Sequence, residues 1–167
     1  MPTRTTGHFT FANWEERTVS PGEASPTLAC ASVTNAYSGG ITAAHTTCEY
    51  VIVYRPDKTG SFTGMQVLTG GLDGREGAFA VEERGWFDSE GAVHCTFEVV
   101  AGSGTGDLAG LGGTGSYTAR QGEPSVAYTF DYHLPTPPAT GSTDSDTDSG
   151  TDSVTDSVTD STPSVTN

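Results

Sequence analysis

Between Val99 and Gly115 the chain reads Val-Val-Ala-Gly-Ser-Gly-Thr-Gly-Asp-Leu-Ala-Gly-Leu-Gly-Gly-Thr-Gly. No other stretch restricts the fold as much. Glycine at this density ordinarily makes a flexible linker, but Val99, Val100, Leu108 and Leu111 run through it and demand burial. Such glycines let backbones approach closely or take positive φ, as at the corners of a tightly curved sheet. The string therefore points to a closed or strongly coiled antiparallel barrel.

The rest of the chain agrees. No long stretch has helical period with caps, whereas short β-rich runs recur between turn signals. Strands are predicted over 7–14, 28–36, 41–54, 61–69, 75–87, 92–100, 106–119 and 125–134. Phe9 and Phe11 alternate with polar neighbours in the first, and Tyr128, Phe130 and Tyr132 share one face of the last. Pro56-Asp-Lys-Thr-Gly60, Gly70-Gly-Leu-Asp-Gly74, Asp88-Ser-Glu-Gly91 and Gln121-Gly-Glu-Pro124 read as turns. Eight sequential strands joined by tight turns predict an all-β, eight-stranded antiparallel up-and-down β-barrel, which leaves no exposed edge. A two-sheet sandwich is the rival, but its long crossovers are not evident.

Charge and composition narrow the function classes. The net charge is −14, and residues 1–134 hold all 7 bases and 15 of the acids, a balance of −8. Nucleic acid and anionic membrane surfaces both require clustered Lys and Arg, so neither is an expected partner. No apolar run reaches the length of a membrane-spanning helix, and Met1-Pro-Thr-Arg-Thr-Thr-Gly-His8 lacks a secretory apolar segment. Cys30, Cys48 and Cys95 do not form a disulfide framework and read as free thiols in a reducing cytoplasm. After Leu134 the chain turns to Pro, Ser, Thr and Asp, so a barrel domain over 1–134 and a disordered acidic tail over 135–167 are expected. Asp144-Ser-Asp-Thr-Asp-Ser-Gly150 resembles a calcium loop but departs from its pattern at Ser149 and Thr155, and is read as tail.

Catalytic signatures are few. The glycine string lacks the Gly-Lys-Ser/Thr of a phosphate cradle, and Asp107 would repel phosphate. His45 with Cys48 and His94 with Cys95 fall on opposite strand faces unless a bulge intervenes. No cofactor or metal is expected and no triad can be assembled; whether the protein is an enzyme is left open.

Inward-facing polar residues carry the remaining signal. A three-residue loop at Asp88-Ser89-Glu90 sets Phe97 opposite Val81 and Cys95 opposite Glu83, placing Glu83 on the core side with Phe79 and Val81. A two-residue turn at Asp57-Lys58 sets Glu49 opposite Gln66. These polar residues are either rim and surface groups or the lining of an apolar cavity whose carboxyls are raised in pKa by burial. In the second case Tyr128, Tyr132, Trp14 and Trp86 form walls. The candidate ligand-binding residues are thus Glu49, Gln66, Phe79, Glu83, Phe97, Tyr128 and Tyr132.

Leu68-Thr-Gly70, Leu72-Asp-Gly-Arg-Glu-Gly-Ala-Phe79, Gly102-Ser-Gly-Thr-Gly-Asp-Leu-Ala-Gly-Leu111 and Tyr128-Thr-Phe-Asp-Tyr132 resemble the bacterial DUF3224 family. The resemblance runs from about Gly7 to Leu134. It implies an eight-stranded barrel, similar to that of allene oxide cyclase, around a largely apolar cavity; it implies no reaction, and the cyclase's polar catalytic residues match no positions here. The leading expectation is a cytoplasmic barrel that binds a small hydrophobic molecule. The alternatives are a cyclase or isomerase using a buried carboxylate and tyrosine, or a non-catalytic oligomeric scaffold. A homo-oligomer is expected where outer strand faces are apolar.

Overall fold

The computed structural model describes residues 1–23 and 25–136. The expected tail, with its Asp144–Gly150 string, lies outside the described residues apart from its first two positions. Eight strands follow one another: β1 Thr3–Thr18, β2 Thr27–Gly39, β3 Ile41–Tyr54, β4 Gly60–Leu72, β5 Arg75–Phe87, β6 Val93–Val99, β7 Gly112–Ala119 and β8 Val126–His133. Each pairs antiparallel with its predecessor, and β8 returns to β1, closing an up-and-down barrel. The seam pairs Gly7 with Tyr128 and Phe9 with Val126. Outside it, the Arg4 guanidinium donates to both Asp131 carboxylate oxygens at 2.8 Å. No helix among the described residues is long and apolar enough to cross a membrane.

Rings and glycines face each other across neighbouring strands. Tyr50 opposes Gly64, Phe62 opposes Gly85, Phe87 opposes Gly60, Phe97 opposes Gly115 and Tyr128 opposes Gly7. A Cβ on Gly115 would stand 2.0 Å from the Phe97 ring, and one on Gly85 2.3 Å from the Phe62 ring. The rings therefore lie flat on bare backbone, an arrangement that fits large side chains into a narrow barrel.

The glycine string closes one end. Its role differs from the expectation, because β7 starts at Gly112 rather than Gly106 and the middle of the string is a cap. β6 stops at Val99, so the first residues of β5 have no β6 partner. The loop lies along them instead: Val100 N donates to Ala80 O at 2.9 Å and Thr105 N to Ala78 O at 2.8 Å. Ser103 Oγ and Thr105 Oγ1 accept from the amides of Ala80 and Ala78. A Cβ on Gly77 would meet Thr105 O at 2.1 Å, so only glycine admits this contact. Gly106, at φ +61°, then turns the chain into a short 3-10 segment that seats Leu108. Leu108 and Leu111 pack with Ile41, Leu72 and Phe130 in a filled core. A second apolar cluster around Val33, Tyr50, Ile52 and Phe62 occupies the other half.

Two loops also differ from expectation. Both are five residues long, pairing Tyr54 with Gly60 and Phe87 with Val93. At Asp88 the carboxylate accepts from the amides of Glu90 and Ala92, which stabilises the longer turn. There the register slides by two, so Glu83 opposes Phe97 and Val81 opposes Val99, and every side chain keeps its face. At the β3–β4 turn, where Lys58 takes φ +68°, the register slides by one. Gln66 therefore opposes Cys48, and Glu49 opposes Met65 on the outside.

Gly115→Ala should destabilise the barrel by about 1–3 kcal/mol through overpacking against Phe97. In a Phe97→Leu background the same substitution should cost clearly less. Denaturant midpoints of the four-variant cycle measure this, and additive costs would refute the packing account.

Candidate functional site

The half of the barrel opposite the cap is open. The strand ends there surround a cavity of about 340 Å³. Its walls are aromatic: Trp14 stacks on Tyr50 at 6.1 Å, Phe62 meets Tyr50 edge-on at 5.3 Å, and Tyr54 leans on Phe87 at 5.4 Å. Trp14 reaches the mouth because β1 bulges between Ala12 and Glu15, where Asn13 takes φ +59°. The extra residue reverses the facing of the strand, so Trp14 turns inward and Glu16 lies opposite buried Ala31. Glu16 then accepts hydrogen bonds from Tyr54 Oη and, at 3.4 Å, from Trp14 Nε1.

Beneath the aromatic walls lies a buried polar cluster. Glu83, only 1 % exposed, is its centre. Tyr50 Oη donates to Glu83 Oε2 at 2.5 Å, Gln66 Nε2 donates to Oε1 at 2.7 Å, and Cys48 Sγ lies 3.5 Å from Oε2. Asn35 Nδ2 donates to Gln66 Oε1 at 3.3 Å, and Tyr117 Oη is 3.4 Å from Tyr50 Oη. Tyr50, Asn35 and Tyr117 line the mouth, whereas Glu83 lies behind them. Thr46 Oγ1, also buried, has no hydrogen-bond partner among the described residues.

Among the described residues no cation balances this carboxyl. Burial raises the Glu83 pKa above the usual carboxylate value, and the bonds from Tyr50, Cys48 and Gln66 offset only part of that rise. Burial likewise raises Tyr50, Tyr117 and Tyr37, and pushes Cys95 up to about 12. The whole cluster thus favours its protonated, neutral forms. Chemically it offers one polar end of limited size to a ligand otherwise held by rings.

The structure sorts the sequence candidates clearly. Glu83 and Gln66 meet at the barrel centre. Glu49 points outward, where it accepts from Ser32 Oγ at 2.7 Å; the one-residue register change puts it there. Phe79, Phe97, Tyr128 and Tyr132 belong to the filled core of the capped half, and none lines the mouth. Tyr128 Oη accepts from Ile41 N at 2.8 Å, and Tyr132 Oη donates to Asp73 at 2.7 Å. Trp86 is no wall of the interior: it stacks on His94 at 4.1 Å on the outer face. His94 and Cys95 point to opposite faces, and alternation leaves His45 exposed while Cys48 is buried. Tyr50, Tyr117, Asn35, Phe62 and Tyr54 were not anticipated. Both faces of the Tyr50–Tyr54 run are apolar, so alternation alone did not mark the inner one.

A larger depression of about 790 Å³ crosses the outer faces of β3 to β7, over Val53, Trp86 and His94. It lacks a convergent buried polar cluster of its own, so the mouth is the better candidate.

The Glu83 pKa is higher in the folded than in the unfolded chain, so the native state holds the extra proton between the two values. Stability from this group is therefore complete below the ordinary carboxylate pKa, about 4.3, and is lost as pH rises through the folded value. Glu83→Gln keeps an acceptor for Tyr50 and removes the titration. Its stability relative to wild type should rise as the pH rises above about 4.3, by about 1.4 kcal/mol per unit of pKa difference. Urea unfolding at several pH values tests this, and a pH-independent difference would contradict it.

No curated protein sequence matches the chain. A crystal structure of a protein with unknown function from the DUF3224 family of Shewanella oneidensis MR-1 superposes with a TM-score of 0.66 at 22 % identity. The match covers 81 % of this chain and 100 % of that one, and it shows a shared fold. The family described as "Protein of unknown function (DUF3224)" matches residues 5–132, from the first strand of the barrel to the last, and the chain belongs to that family.

Proposed function

We propose that this barrel binds a small, mainly hydrophobic molecule in its open mouth, within the reducing cytoplasm. One observation carries the reading: an aromatic-walled cavity of about 340 Å³ that ends on a buried polar cluster. Binding sites for small molecules combine such apolar walls with a few convergent polar groups. The cavity speaks against a scaffold with a wholly filled interior. Cys30, Cys48 and Cys95 are unpaired thiols, which supports a reducing compartment.

The contact between Glu83 and Tyr50 favours a second reading, an isomerising cyclase in which this pair moves a proton on an apolar substrate. The tyrosine concerned is Tyr50, not Tyr128 or Tyr132. Under this reading Glu83→Gln abolishes turnover while ligand binding persists.

Titration with the neutral fluorophore N-phenyl-1-naphthylamine should saturate at one site per chain. Trp14→Ala should weaken binding about tenfold, because it removes a large apolar wall. Trp86→Ala, on the outer face, should leave it unchanged. Equal effects of the two substitutions would place the probe elsewhere.

A further inference from the structure

We propose that the mouth selects ligands whose apolar body carries one positive charge, such as a hydrophobic quaternary ammonium or protonated amine. The inference rests on the mouth being the small-molecule site and adds the charge of its ligand.

The walls contain no Lys, Arg or His among the described residues. An anionic head would lose its water in this cavity and gain no counter-charge. It would also meet the Glu16 carboxyl at the rim and, at the floor, a Glu83 whose ionisation its charge would oppose. Glu83 lies under Tyr50 at the floor, and Glu16 holds Tyr54 and Trp14 at the rim.

A cation meets the opposite situation. Trp14, Tyr50, Tyr54, Phe62 and Phe87 ring the mouth, with Trp14 stacked on Tyr50 and Phe62 at right angles to it. Ring faces attract cations most strongly where water is excluded. Tyr50 donates its hydroxyl proton to Glu83, which increases electron density in its ring. The net charge of the chain, −14, draws cations toward the protein before contact.

Glu83 itself lacks what such a ligand supplies. The groups that face it are Tyr37 from β2, Cys48 and Tyr50 from β3, Gln66 from β4, Cys95 from β6 and Tyr117 from β7. None is cationic. A permanent cation seated against Tyr50 favours the carboxylate form of Glu83, so binding releases a proton to solvent.

The test compares three competitors of N-phenyl-1-naphthylamine at pH 7: benzyltrimethylammonium, its neutral isostere neopentylbenzene, and the anion 3-phenylpropanoate. The wild-type protein should bind the ammonium about tenfold more tightly than the isostere, and the carboxylate more weakly than either. Calorimetry in two buffers of different ionisation enthalpy should show proton release with the ammonium and none with the isostere. Glu83→Gln should remove the proton release and most of the preference, read as the ratio of ammonium to isostere affinity within that variant. The wild-type series alone decides the matter if that variant does not fold. An ammonium that competes no better than the isostere overturns the charge preference and leaves the mouth as a site. Failure of N-phenyl-1-naphthylamine to bind overturns both.

Discussion

Five of the large rings inside this barrel lie against a cross-strand neighbour with no side chain. Eight strands enclose an interior only wide enough for packed side chains, and a ring laid flat across the neighbouring strand needs bare backbone beneath it. The chain meets this by placing Gly64, Gly85, Gly60, Gly115 and Gly7 opposite Tyr50, Phe62, Phe87, Phe97 and Tyr128. Bare backbone under a flat ring excludes water from the ladder and lets adjacent strands curve. The buried apolar area is thus shared between these rings and aliphatic chains such as Ile41, Leu72 and Leu108.

The two ends of the barrel use this economy differently. At one end the glycine loop satisfies the unpaired amides of β5 and drops Leu108 and Leu111 into the opening, so the interior is full. At the other end no segment among the described residues performs that service, and the rings there are the walls of a cavity. Between the two lies Glu83, a carboxyl whose burial is unfavourable when ionised and is only partly offset by three hydrogen-bond donors. A fold selected for stability alone would have an apolar residue there. Its position under Tyr50, at the boundary between the filled and open halves, is the geometry on which the proposed role of the mouth rests.

The path from sequence to site was uneven for reasons visible in single residues. Glu83 was legible because Phe79, Val81 and Glu83 share a face by strict alternation, and a two-residue error in the adjoining loop preserved it. Glu49 was misplaced because the β3–β4 loop shifts the register by one, and an odd shift reverses every side chain. Trp14 could not be assigned firmly, since its inward turn depends on a bulge at Asn13 that no local pattern announces. The glycine string marked a close backbone approach correctly, yet local sequence did not distinguish a curved strand from a cap.

By itself the sequence determined the strand count, the meander, the acidic surface and the family, since turn chemistry, alternation and composition act over a few residues at a time. Only the tertiary structure decided which rings form the mouth and which fill the core. It also brought Asn35, Tyr50, Gln66, Glu83 and Tyr117 from five different strands into one cluster. That meeting depends on loop lengths, bulges and closure of the sheet together. A change of one residue in any of them moves a side chain from the lumen to the solvent.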